Sequence, residues 1–138
     1  MKQQDLNQEN DFFTAKQIDA VVMLTFKKQR LIPVTHWSTK TPLFEYLQKV
    51  SKSNGVKVVM VKDQPGRSPC KEYSDFYDLI MKGRIDQNAL WRMVTAYDQF
   101  IIKIIESNQF FISINSGEMI SQDFHVALAC DYRMVADD

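Results

Sequence analysis

The side chains here that can do chemistry near neutral pH are few and scattered. His125, in Gln122-Asp123-Phe124-His125-Val126, is the best candidate for moving a proton, because imidazole titrates close to neutrality. The plainer alternative is a histidine on the first turn of a helix, packed or solvated. His36 stands beside Trp37 in an irregular stretch and reads as structural. Cys70 is a potential nucleophile, but no base stands near it in the chain. Lys27, Lys28 and Arg30 form a small basic cluster suited to phosphate groups, or simply to a solvated surface. Glu72, Asp75 and Asp78 share a short helical segment, where they either pair with a basic ligand group or line a solvated face. Cys70 and Cys130 match no zinc spacing, so no metal site is expected, and they read as free thiols of a reducing compartment.

Strands and helices must position these groups, and their order can be read from periodicity. Residues 12–17 suit a short strand and 20–26 a better one, joined by a turn at Ile18-Asp19. Residues 27–41 read as irregular. Thr39 or Thr41 can cap a helix with Pro42 at its first position, carrying Leu43, Phe44, Leu47 and Val50 and ending at Asn54-Gly55. Residues 56–61 form an apolar run expected to be a strand buried on both faces apart from Lys57, followed by the turn Asp63-Gln64-Pro65-Gly66. Phe76, Leu79 and Ile80 mark a short helix closed by Gly83. Asp86 suits the N-cap of the longest helix, whose apolar positions are Leu90, Trp91, Val94, Tyr97, Ile101, Ile104 and Ile105. A strand over 109–114, a short helix from Ser121 to near Asp131 and a strand over 132–136 complete the chain. Strands alternating with helices predict an α/β fold with a parallel sheet.

At 138 residues, with 45% hydrophobic and 25% charged content, one globular domain is expected over 11–138, with residues 1–10 a polar, disordered lead-in. Seventeen basic and seventeen acidic residues cancel, which gives no support for nucleic-acid or anionic-membrane partners. The polar start has no apolar core of a signal peptide, and the most apolar window, 100–114, is broken by Lys103, Glu106, Asn108 and Gln109. A cytoplasmic location is the expectation.

One segment narrows this reading. Ala127-Leu128-Ala129-Cys130-Asp131-Tyr132-Arg133, with Ala136 after it, resembles the apolar-Ala-x-x-Cys-Asp-x-Arg segment of the crotonase (enoyl-CoA hydratase/isomerase) superfamily. Residues 56–61 resemble the family strand before its first oxyanion loop, and 110–115 the strand before its second. The similarity spans about 12–138. It implies a crotonase-like parallel βα sheet, truncated relative to family members about twice as long. Such a chain is either a piece of a longer protein or a reduced one that covers its sheet by forming a homo-oligomer.

The family polarises an acyl-CoA thioester with two backbone N–H groups, one at a helix N-terminus. By resemblance these positions fall on Lys71 and Gln122, and an acid/base carboxylate of hydratases aligns with His125. Lys27, Lys28 and Arg30 would then meet CoA phosphates, although the family's Asn-Arg-Pro is replaced by Thr25-Phe26-Lys27. The small residues of the first loop are replaced by Cys70-Lys71-Glu72-Tyr73-Ser74, and the glycines of the second by Ser121-Gln122-Asp123. Asn115-Ser116-Gly117 stands one residue out of register with the Cys-Asp anchor. Asp123 favours the helix but opposes an oxyanion beside it. Two expectations follow: a lyase- or isomerase-like protein handling an acyl-CoA thioester through a modified oxyanion hole, with no other cofactor, or a non-catalytic relative serving assembly or ligand binding.

Overall fold

The computed structural model describes residues 5–27 and 37–136. The elements follow in the order β1 (Gln8–Glu9), β2 (Phe13–Ile18), β3 (Val21–Phe26), α1 (Trp37–Ser51), β4 (Val58–Asp63), α2 (Pro69–Met81), α3 (Gln87–Ile105), β5 (Phe110–Asn115), α4 (Ser121–Ala129) and β6 (Tyr132–Val135). They form one six-stranded sheet in the order β1-β2-β3-β4-β5-β6. The α/β class expected from the alternation of elements is the class observed. The sheet is parallel only from β3 to β6, and β1, β2 and β3 pair antiparallel. The reason is local: Ile18 pairs with Val21, so only Asp19 and Ala20 connect β2 to β3, with Asp19 in the left-handed region at φ 52°. A two-residue turn can only reverse the chain.

Residues 5–10 differ from the disordered lead-in expected of them. Gln8 and Glu9 pair with Ala15 and Thr14, and Leu6 is buried, its carbonyl accepting a 3.0 Å hydrogen bond from the Tyr46 hydroxyl. Asn10 Oδ1 accepts from the N–H groups of Phe12 and Phe13 at 2.8 and 3.0 Å, turning the chain into β2. Residues 1–4 lie outside the described residues.

The first helix also corrects expectation. It begins at Trp37, so Thr39 and Thr41 lie inside it and Pro42 is internal rather than first. Leu43, Tyr46, Leu47 and Val50 on this helix are buried, and the Tyr46 ring packs against Phe13 with centroids 5.6 Å apart. That burial holds the helix across the one hydrogen bond that Pro42 cannot donate.

Burial alternates along the central strands. Val22, Leu24 and Phe26, Val59 and Val61, and Phe111, Ser113 and Asn115 are buried on the face that the helices cover. Their neighbours Met23, Met60 and Ile112 are only half-buried on the other face, and Phe110, Tyr132 and Met134 are exposed. The strand expected to be buried on both faces is therefore β4 buried on one. A continuous apolar run does not reveal whether a second layer is present.

The long helix has the expected N-cap, Asp86, whose carboxylate accepts from the Ala89 N–H at 2.8 Å. Its buried face is Met93, Ala96, Tyr97, Phe100 and Ile104, whereas Trp91 is 66% exposed and Val94 and Ile105 also face solvent. Two apolar stripes run along α3 at nearly the same period. The sheet takes the one carrying Phe100, whose ring meets Phe26 edge-on at 6.1 Å. Among the described residues no helix is long and apolar enough to cross a membrane.

Candidate functional site

In sheets with parallel strands, ligands gather at the carboxyl ends, where loops lead into helix N-termini. Here β4 runs through the loop 64–68 into α2, and β5 runs through 116–120 into α4. Each loop carries one glycine in the left-handed region, Gly66 at φ 81° and Gly117 at φ 76°. A Cβ at either would meet nothing, so backbone conformation, not space, calls for glycine there.

Arg67 anchors the first loop. Only 5% of its side chain is exposed, and its guanidinium pairs with Asp63 at the end of β4 and with Glu72 on α2 at 3.1 Å. Ser68 then caps α2, its Oγ accepting from the Lys71 N–H at 3.4 Å. The second loop is held from below. Asp123, 1% exposed, accepts from the Ile120 N–H at 3.3 Å, and the Tyr97 hydroxyl donates to the Gln122 carbonyl at 2.6 Å. Under α4, the buried Asn115 side chain donates to Ser113 Oγ at 2.8 Å.

The two loops meet at Glu118. Its Oε2 accepts a 2.8 Å hydrogen bond from Ser68 Oγ. Desolvation, then the charges of Glu118 and Asp123, push the Cys70 thiol up. The shift disfavours the thiolate of Cys70, which is exposed on α2.

The residues singled out from sequence fall in different places. Lys71 and Gln122 do stand in the first turns of the two helices that bound this cleft. The Lys71 N–H is engaged by Ser68, and its side chain, exposed, pairs with Asp75 at 3.0 Å. Gln122 is half-buried, with its side-chain oxygen accepting from Ser121 Oγ at 3.0 Å. His125 is exposed, one residue before the buried Val126 that seats α4 on the core. Asp75 and Asp78 pair with Lys71 and Lys82 along α2, leaving Glu72 to Arg67.

Lys27 follows β3 at the same end of the sheet and pairs with Glu9 at 2.6 Å, which, with its charge, holds the Glu9 carboxyl below its usual range. Lys28, Arg30 and His36 lie outside the described residues. With Lys16, Lys62, Met23 and Thr25, Lys27 lines a depression of about 380 Å³ on the uncovered face of the sheet. Lys16 and Lys62 were not singled out in the sequence. They come together with Lys27 only through strand register, and their sequence signal is one lysine inside each of two strands, β2 and β4.

The Cys-Asp-x-Arg segment acts as scaffold. Cys130 is buried, Asp131 Oδ2 accepts from the Phe111 N–H at 2.8 Å, and Arg133 donates to the Ala127 carbonyl at 3.3 Å.

No family model and no curated protein matches the chain. Solved structures do. An enoyl-CoA hydratase/isomerase from Marinobacter aquaeolei superposes with a TM-score of 0.69 at 13% identity, over 91% of this chain and 49% of that one. The enoyl-CoA hydratase from Bacillus anthracis gives 0.66 at 15% identity, over 91% and 48%. A probable enoyl-CoA hydratase/isomerase from Mycobacterium abscessus gives 0.61 at 18% identity, over 92% and 48%. The chain spans about half the length of these structures. It has, over that half length, the fold of the enoyl-CoA hydratase/isomerase (crotonase) proteins.

Proposed function

We propose that the chain binds an acyl-CoA thioester in the cleft between the loops 64–68 and 116–120, without ordinary hydratase turnover there. The observation that carries the reading is the placement of two helix N-termini at the carboxyl ends of adjacent parallel strands, in a fold shared with enoyl-CoA hydratase/isomerase structures. Gln122 in the first turn of α4 is the donor assigned to the thioester oxygen, and Lys27, with Lys28 and Arg30, is assigned to the phosphates. Turnover is disfavoured by the same geometry. The Lys71 N–H serves Ser68, and Glu118 and Asp123 bring negative charge to the neighbourhood of Cys70 at the start of α2, where an enolate would instead call for positive potential. His125, exposed on α4, is the proton-moving group this reading keeps. Two free thiols suit a reducing, cytoplasmic setting.

Isothermal titration calorimetry of the longest native chain with CoA and with crotonyl-CoA tests the reading. Saturable heat with crotonyl-CoA, and no hydrated product, is the expected result. No heat with either ligand removes every acyl-CoA role.

A second reading, assembly, is favoured by the uncovered sheet face bearing Met23, Met60, Ile112 and Tyr132. Sedimentation velocity checks it: a homo-oligomer that Ile112→Glu dissociates supports assembly, and a monomer at all concentrations rejects it.

A further inference from the structure

The uncovered face of the sheet carries positive charge that its own residues do not balance. Strand register fixes the pattern. Thr14 on β2 stands opposite Thr25 on β3, and Thr25 opposite Lys62 on β4. In the next row, Lys16 is opposite Met23 and Met23 opposite Met60. Lys27 comes two residues after Thr25, where its N–H continues the ladder to the Phe12 carbonyl at 2.7 Å. Cross-strand neighbours lie about 5 Å apart and diagonal ones about 7–8 Å, within reach of long side chains. Three ammonium groups therefore surround a pair of hydroxyls: Lys62 to one side, Lys27 ahead and Lys16 behind. All five side chains line the one depression of about 380 Å³.

A single carboxylate answers these three cations. Glu9, opposite Thr14, pairs with Lys27 at 2.6 Å, whereas Lys16 and the half-buried Lys62 close no ion pair among the described residues. The surplus is local, because acidic and basic residues balance over the whole chain. Like charges gathered in one depression repel, and an anion with several oxygens relieves the repulsion. The donors suit a tetrahedral oxyanion better than a planar carboxylate. Ammonium groups approach from three sides, and Thr14 and Thr25 can each donate a hydroxyl proton from the floor. Beyond the threonines the floor turns apolar, from Met23 through the half-buried Met60 to Ile112. Such a floor accepts an organic group, and its two thioethers favour an aromatic ring.

We infer that this depression binds a phosphate monoester, with the phosphoryl group held by Lys16, Lys27 and Lys62 over Thr14 and Thr25 and the organic group lying on Met23 and Met60. The site uses none of Lys71, Gln122 and His125. It shares only Lys27 with the acyl-CoA reading and stands or falls separately from it.

Phenyl phosphate is the probe, titrated into the ¹⁵N-labelled native chain in a phosphate-free buffer of low ionic strength. Saturable shifts of the Thr14, Lys16, Met23, Thr25 and Lys62 amide signals are the expected result. Lys16→Met and Lys62→Met keep an unbranched apolar stem on a surface strand, and each is expected to weaken binding by about three- to tenfold. Lys103→Met, which removes an exposed charge from α3, should leave the affinity unchanged. No saturable shift at these residues, or equal losses in K62M and K103M, overturns the site. Inorganic phosphate separates the free ion from the ester. Binding at the same residues at least about threefold weaker than phenyl phosphate supports the contact with Met23 and Met60, and equal affinity overturns the monoester assignment. Phenyl phosphate binding without any crotonyl-CoA binding sustains this site and removes only the acyl-CoA reading. Crotonyl-CoA binding without phenyl phosphate binding does the reverse.

Discussion

Asp131 reaches across from the end of α4 to the start of β5, where its Oδ2 accepts the Phe111 N–H at 2.8 Å. Asp131 of the Cys-Asp segment is thus joined to backbone. It sets where β5 begins relative to α4, and so where the loop 116–120 is delivered.

Removing that acceptor should destabilise the domain. Asp131→Ala is expected to lower unfolding free energy by about 1–3 kcal/mol, because the Phe111 N–H loses a charged partner. Asp131→Asn, which keeps an oxygen acceptor, should lose less. Urea denaturation followed by fluorescence measures both, and an unshifted D131A midpoint would show the bond to be dispensable.

Arg67 is a second structural link at the site. Arg67→Met should cost about 2–4 kcal/mol, since it leaves Asp63 and Glu72 without their shared cation in a partly enclosed setting. Lysine keeps the charge but not the planar fork, so R67K should fall between wild type and R67M. Thermal melts of the three proteins rank them, and R67K equal to R67M would mean geometry rather than charge holds the loop.

Tyr46 should make stability fall at alkaline pH. Burial pushes its phenol well above the usual tyrosine range, and its O–H donates to the Leu6 carbonyl. An acid held protonated in the folded state contributes stability that is whole below its unfolded pKa of about 10 and is lost as pH rises from there toward the folded value. Tyr46→Phe should be about 1 kcal/mol less stable at neutral pH, for want of one hydrogen bond. Its alkaline decline should be shallower, and parallel pH–stability curves for the two proteins would refute this.

On α3, two large side chains with similar sequence credentials should behave oppositely. Phe100→Ala is expected to cost about 3–5 kcal/mol by opening a cavity against Phe26. Trp91→Ala should stay within about 0.5 kcal/mol in a monomer. A large loss in W91A that depends on protein concentration would instead place Trp91 in a contact between copies.

The elements of the parallel half were legible because each carries its own signal. Val22, Leu24 and Val59 sit in strand-length apolar runs, Asp86 caps as expected, and Ala127 to Arg133 resembles a known segment closely enough to suggest the fold. The stretches that differed depend on partners distant in the chain. Leu6 is ordered by Tyr46, forty residues away, and α1 extends past Pro42 because its far side is seated on the core. Trp91 and Phe100 lie on two stripes of equal local merit, and only the sheet distinguishes them.

The candidate site divides in the same way. By itself the sequence determined that small residues are missing where the resemblance expects them, and that Lys71, Gln122 and His125 stand in their places. Residue identity at fixed spacing needs no folding to be read. The tertiary structure decided which groups face one another. It turned His125 outward, gave the Lys71 N–H to Ser68, and brought Glu118 fifty positions along the chain onto Ser68. Such a meeting is set by the register of β4 against β5 and by the loops leaving them, and hydrogen bonds, effective only over about 3 Å, form wherever that register brings donor and acceptor together.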